Sequence, residues 1–204
     1  AAETLEHAKT PLLYRTHDEP SKEKLKNLRD FLETLDLKLA AGTGLKPEAF
    51  TRILARAKTL PVPELVNEVI LRAQAQAEYT PGNIGHFGLA LRRYCHFTSP
   101  IRRYADLMVH RALIGAFSLG AGGSADEIDM AKAGEHISAT ERRAAAAERD
   151  ALDRFTASYL AEKIGAEFPA RVNGVTRFGL FVTLNETGAD GLIPISTLPD
   201  DFYD

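Results

Sequence analysis

Five arginines, Arg92, Arg93, Arg102, Arg103 and Arg111, stand between Gly85 and Arg111, a stretch whose only carboxylate is Asp106. Its second half has the pattern of a helix opening. Ser99 suits an N-cap, and Pro100 suits the first helical position, where a missing N–H does no harm. Ile101, Tyr104, Ala105, Met108 and Ala112 then recur at helical spacing as one apolar stripe. Arg102, Arg103, Asp106 and His110 fall mostly on the other side. Arginines in a first turn face the positive end of the helix dipole, which favours anions. A phosphate seated between the guanidiniums and the free N–H groups would relieve that conflict. The same arginines could instead point into water, or pair with an acidic neighbour from elsewhere in the fold.

The cluster is local, because the chain as a whole carries a formal charge of −3. That charge argues against a basic, nucleic-acid-coating surface but permits a single phosphate channel. With 204 residues, 45% apolar and 26% charged, the chain can hold one core, or one plus part of another. Cys95 is the only cysteine, which excludes an internal disulfide and a Cys-based zinc site. No apolar run approaches the roughly 20 residues of a membrane span, and no signal peptide is visible, so a cytoplasmic location is expected.

His86-Phe87-Gly88-Leu89-Ala90-Leu91, Tyr94, His96-Phe97-Thr98-Ser99-Pro100-Ile101-Arg102-Arg103-Tyr104 and His110-Arg111 closely resemble the RNB catalytic domain of the ribonuclease II and ribonuclease R family. The resemblance implies processive 3′-to-5′ exoribonuclease chemistry on single-stranded RNA. Metal-assisted hydrolysis would release nucleoside 5′-monophosphates. It also implies Mg²⁺, held by aspartates of an Asp-rich motif well upstream that has no equivalent here: Asp126 and Asp129 sit alone, and Asp200-Asp201 lie near the end. The chain opens as if inside a helix, with no Met and no cap, and closes after an unfinished strand-rich segment, so it reads as a fragment cut at both ends. Lacking the Asp-rich motif, it is expected to be inactive alone, with the upstream part of the same enzyme and single-stranded RNA as its partners.

Around that centre the rest is packing. Leu12–His17 reads as a strand, with Arg15 salt-bridged and His17 in a turn. Ser21 caps a helix through Leu25, Leu28, Leu32 and Leu35, whose lysines form a solvated face. Gly42-Thr43-Gly44 is a loop lacking the rest of a P-loop. Helices are predicted from Pro47 through Ala57 and from Glu64 to Ala77, followed by turn residues Tyr79–Asn83. Beyond a glycine-rich loop at Gly115–Gly123, a long helix runs from Ser124, with Glu127 completing a capping box, toward Ile164, bent or broken near Gly134. After Gly165 the chain becomes strand-rich, through Phe178-Gly179-Leu180-Phe181-Val182 and Gly191-Leu192-Ile193-Pro194, and resembles the start of an S1-type OB-fold. Pro194 stands where many such domains carry a histidine.

The expected fold is α+β. Residues 1–165 are the C-terminal, mostly helical part of an RNB catalytic domain, and residues 166–204 are the N-terminal, incomplete part of an all-β OB-fold barrel. Arg102 and Arg103 would clamp the scissile or adjacent phosphate. Glu148, in Ala147-Glu148-Arg149-Asp150, matches the family glutamate near that phosphate and would orient water or assist proton transfer. It could otherwise dress a surface helix, pairing with Arg149 as Asp150 pairs with Arg154. His86, Ser99 and Tyr104 are candidate RNA contacts, with Tyr104 beneath the arginines, and Phe178 and Phe181 are candidate stacking faces. Two other classes remain open. A non-catalytic single-stranded RNA-binding module would use the same arginines and phenylalanines, and an interaction scaffold would bind RNA no better than other acidic proteins.

Overall fold

In the computed structural model, residues 1–40, 45–123, 128–199 and 201 are described. The Gly42–Gly44 loop, the Ser124–Glu127 capping box with Asp126, Asp200 and the last three residues lie outside them. The chain forms two units, Ala1–Glu141 and Arg142–Asp204. The architecture is α+β, helical first and then strand-rich, as the sequence pattern predicts.

The first unit contains α1 (Ala2–His7), β1 (Tyr14–His17), α2 (Lys22–Glu33), α3 (Pro47–Ala57), α4 (Pro63–Ala73), β2 (Ala77–Thr80), a 3₁₀ turn at Phe87–Leu89 and α5 (Tyr104–Phe117). It also holds the beginning of α6 (Met130–Ala161). Ser21 caps α2 by accepting the Lys24 N–H at 3.3 Å, as its position predicts. Leu25, Leu28 and Leu32 meet Phe50 and Ile53 of α3 and Val66 and Ile70 of α4 in one core. Each such buried side chain contributes on the order of 1.5–3 kcal/mol. The exposed Lys26–Asp30 pair at 3.4 Å contributes about 0.3–0.5 kcal/mol. Leucine burial therefore holds these three helices together, and the ion pair only decorates them.

Three sequence expectations change here. Residues 74–77 do not continue α4: the helix ends at Ala73, and Ala77–Thr80 forms β2, antiparallel to β1 with Arg15 opposite Tyr79. Strand pairing overrides the helical periodicity of this short segment. His17 is no turn residue but the buried end of β1. Finally, α6 runs unbroken through Gly134. A Cβ on Gly134 would lie 2.4 Å from the Tyr79 carbonyl oxygen, so the missing side chain admits the strand. One turn later the Ser138 hydroxyl accepts the Tyr79 N–H at 2.9 Å. Helix α6 thus covers the outer edge of β2, whose backbone would otherwise lack partners.

The second unit comprises α6 from Arg142 onward and an antiparallel sheet in the order β3 (Ala170–Thr176), β4 (Gly179–Leu184), β5 (Asp190–Pro194). A register shift between Val172 and Gly174 bends β3 against β4. These are three of the five strands of an OB-fold. Gly179 at φ +145° brings its Cα so close to the Ile193 carbonyl that a Cβ would stand 2.0 Å from the oxygen. Only glycine fits there.

Candidate nucleic-acid interface

The arginine-rich stretch does not open a helix where the sequence places it. Residues 100–102 form a turn. The Ser99 carbonyl accepts the N–H groups of Arg102 at 3.2 Å and Arg103 at 3.0 Å, and α5 starts only at Tyr104, with Arg103 at the N-cap. Ser99 is therefore not the cap, and the arginines are not in a first helical turn. The anion that the helix dipole favours is the chain's own: Asp106 occupies the first turn. The apolar stripe shifts accordingly. Ala105, Met108, Val109 and Ala112 are buried, while Ile101 is fully exposed and Tyr104 is half exposed.

Asp106 leaves the polar face to which its sequence position assigns it. It is 0% exposed. Its Oδ2 accepts the Ser99 N–H at 2.7 Å and an Arg103 Nη2–H at 3.0 Å, and Oδ1 lies 3.0 Å from Arg103 Nε as an ion pair without hydrogen-bond alignment. The Arg102 side chain is exposed and has no ion pair among the described residues. Arg93 pairs with Glu6. His110 stacks on Phe97, ring centroids 4.2 Å apart, and shares a 2.8 Å hydrogen bond with the Phe97 carbonyl.

Beside this turn lies a continuous array of rings. His17 stacks on His86 at 5.0 Å, His86 meets Tyr94 edge-on at 5.4 Å, and Tyr94 meets His96 at 5.6 Å. His96 Nδ1 lies 2.7 Å from the Tyr79 hydroxyl, which donates to it in the neutral Nε2–H tautomer. The Arg15 guanidinium sits 4.5 Å over the Tyr79 ring and grips Glu141 with two hydrogen bonds of 2.6 and 3.1 Å. The salt bridge that the sequence suggests for Arg15 is thus present. His86 also accepts the Leu89 N–H at 3.2 Å, capping its 3₁₀ turn. Burial lowers the pKa of both His86 and His96 below the ordinary 6.5, with neighbouring His17 and Arg15 adding to it at His86, and Arg103 and Arg15 at His96.

These shifts carry a sign for stability. Below about pH 6.5 the unfolded chain takes up protons that the native histidines refuse, so the stabilisation present above 6.5 is lost as pH falls. Urea unfolding midpoints are expected to drop between pH 7 and pH 5, and His86→Gln together with His96→Gln to flatten that slope. A slope unchanged by the double variant would assign the pH response to other groups.

His17, His86 and Phe87 also form one wall of a groove of about 570 Å³, lined further by Asp18, Glu48 and Arg92. Among the described residues no three His, Cys, Asp or Glu side chains are grouped to hold a metal ion. Asp129 caps the start of α6 through the Lys132 N–H at 3.1 Å, which holds its carboxyl below the usual range. No described helix is long and apolar enough to cross a membrane.

In the second unit, Glu148 is exposed on α6 with no ion pair among the described residues, whereas Asp150 and Arg154 pair at 3.1 Å. Phe178 and Phe181 are 60% and 42% exposed. Both rings are open to solvent beside this three-stranded sheet. Arg177 lies over the Phe178 ring at 4.8 Å. Sequence reading missed Asp106, Tyr79 and Glu141 as parts of the site. The lone carboxylate of an arginine-rich stretch was the one available signal; Tyr79 and Glu141 meet Arg15 only through tertiary contact.

Comparison with known proteins bears on both units. The family model described as RNB domain matches residues 1–118, and the model described as S1 RNA binding domain matches residues 162–204. Ribonuclease R of Aquifex aeolicus is 45% identical over 206 residues, covering 98% of this chain and 28% of the relative. Ribonuclease R of Buchnera aphidicola is 41% identical, covering all of this chain and again 28% of the relative. The chain thus spans about a quarter of the length of these curated relatives. The structure of Mycoplasma genitalium RNase R in complex with ribose methylated single-stranded RNA superposes with a TM-score of 0.89 at 33% identity, over 98% of this chain and 32% of that one.

Proposed function

Because the chain belongs to the ribonuclease R and ribonuclease II family of RNB-domain proteins, we propose that it holds single-stranded RNA for 3′-to-5′ exonucleolytic hydrolysis to nucleoside 5′-monophosphates. In this reading residues 1–165 belong to the catalytic domain and residues 166–204 to the S1-type RNA-binding domain. One observation carries it within the site: the Arg102 guanidinium is exposed and has no ion pair among the described residues, on a turn anchored to a buried carboxylate. A cation so placed lacks only an anion.

Arg102 contacts the scissile or adjacent phosphate and offsets the charge that builds there as a water attacks phosphorus. Glu148, assigned on the family resemblance, orients a water or carries a proton near the departing nucleotide. Ser99 and Tyr104 contact the RNA beside Arg102, His86 contacts it from the ring array, and Phe178 and Phe181 offer stacking faces, each worth about 1–3 kcal/mol per base. Mg²⁺, which the family resemblance implies, finds no ligand cluster among the described residues. They do not fit the ion, and this chain's contribution is charge neutralisation and positioning. The location of action is the cytoplasm.

The test uses 3′-labelled single-stranded RNA. The 204-residue chain alone is expected to bind it in a salt-dependent way and to leave it uncut. A chimera in which this chain replaces the matching segment of Aquifex aeolicus ribonuclease R is expected to degrade it. Degradation by the chain alone would refute the assignment of metal chemistry to other segments. A folded but inactive chimera that still binds RNA would favour the non-catalytic binding module.

A further inference from the structure

Arg102 and Arg103 are neighbours in sequence and opposites in surroundings. Arg102 is exposed, whereas Arg103 lays two nitrogens against the two oxygens of Asp106, each at 3.0 Å. The Arg103 side chain keeps 25% of its exposure and the Asp106 side chain none. Oδ2 of the same carboxylate accepts the Ser99 N–H, and the Ser99 carbonyl accepts from both arginine N–H groups. The five residues from Ser99 to Arg103 are therefore closed into a loop around one buried anion.

Resting on the phosphate role of Arg102, we propose that Arg103 and Asp106 are a positioning pair: they fix the turn that presents Arg102, and Arg103 does not itself touch RNA. The reasons are electrostatic and geometric. A phosphate that drew Arg103 away would leave Asp106 charged, buried and uncompensated, which is strongly unfavourable. One Nη2–H bond to Oδ2 and the Nε charge beside Oδ1 span both carboxylate oxygens at once, and a compact lysine ammonium cannot do both. The pair also answers the helix dipole at the start of α5, since Asp106 supplies the anion there. Arg102, freed of any such duty, is the residue left to meet a phosphate.

The experiment is a salt series of fluorescence anisotropy on the 204-residue chain with a labelled single-stranded oligoribonucleotide. Each phosphate contact contributes about 0.7 to the slope of log K against log[salt] for single strands. Arg102→Ala is expected to lower the slope by about 0.7, Arg103→Gln by the same amount, and the double variant by no more than either alone. Arg103→Lys, which keeps the charge and loses the fork, is expected to behave as Arg103→Gln. Asp106→Asn, which keeps an acceptor for Ser99 and loses the charge, is expected to match them; should it not fold in thermal melts, the Arg103 variants decide alone. A double variant that loses about 1.4 would make Arg103 a second phosphate ligand and overturn the positioning role. So would an Arg103→Gln chain that binds as the parent does while Arg102→Ala binds more weakly. No response to Arg102→Ala removes the phosphate role first, and the positioning role with it.

Discussion

In the Aquifex chimera, Arg102→Ala is expected to lower kcat by about 10²–10³-fold and to weaken RNA binding far less, raising KM by no more than several-fold, and Glu148→Ala to lower kcat likewise. The magnitude follows from removing one fixed donor aimed at developing charge, or one positioned acid or base. The split matters more than the size. An interaction made only in the transition state lowers kcat and kcat/KM together, whereas uniform binding appears in KM alone. Arg102 is exposed and unpaired among the described residues, so its removal disturbs no internal ion pair. Its loss reports on RNA, not on folding. Steady-state degradation of 3′-labelled RNA by each variant supplies the measurement. Equal changes in KM and kcat/KM with kcat intact would make both residues binding groups only.

Gly134→Ala is expected to destabilise the first unit by about 2 kcal/mol, lowering Tm by roughly 4–10 °C. Two effects oppose each other. Alanine favours a helix interior over glycine by about 1 kcal/mol. Against it, a Cβ 2.4 Å from the Tyr79 carbonyl oxygen forces backbone to move, because the obstacle is not a flexible side-chain end. That displacement also stretches the bond from the Tyr79 N–H to Ser138, and an unsatisfied buried group costs about 1–3 kcal/mol. Steric conflict wins. Ser138→Ala tests the second term separately, with a loss of the same order and no added atoms. A Gly134→Ala protein as stable as its parent would show that α6 can slide along β2 without penalty.

Much of the chain was legible from residues alone. Ser21 ahead of spaced leucines, and Pro47 at a helix start, specify α2 and α3 through local capping and periodicity, which need no partner. The run from His86 to Arg111 named the family for the same reason: its residue types and spacing are unusual. Exposure of Phe178 and Phe181, by contrast, depended on the tertiary placement of the turn before β4 and of the sheet face that Phe181 occupies, and periodicity left both options open.

By itself the sequence determined the family, the α+β order of elements and the arginine concentration around Arg102. Tertiary structure decided what each charge does. Ala77–Thr80 became a strand because β1 and α6 flank it, and Gly134 became a contact because Tyr79 approaches there. Asp106 was sealed from water because Arg103 compensates its charge and, with the Ser99 N–H, satisfies its Oδ2. The reason is common to all three: capping and periodicity act within a few residues. Burial and ion pairing depend on groups that only folding brings together.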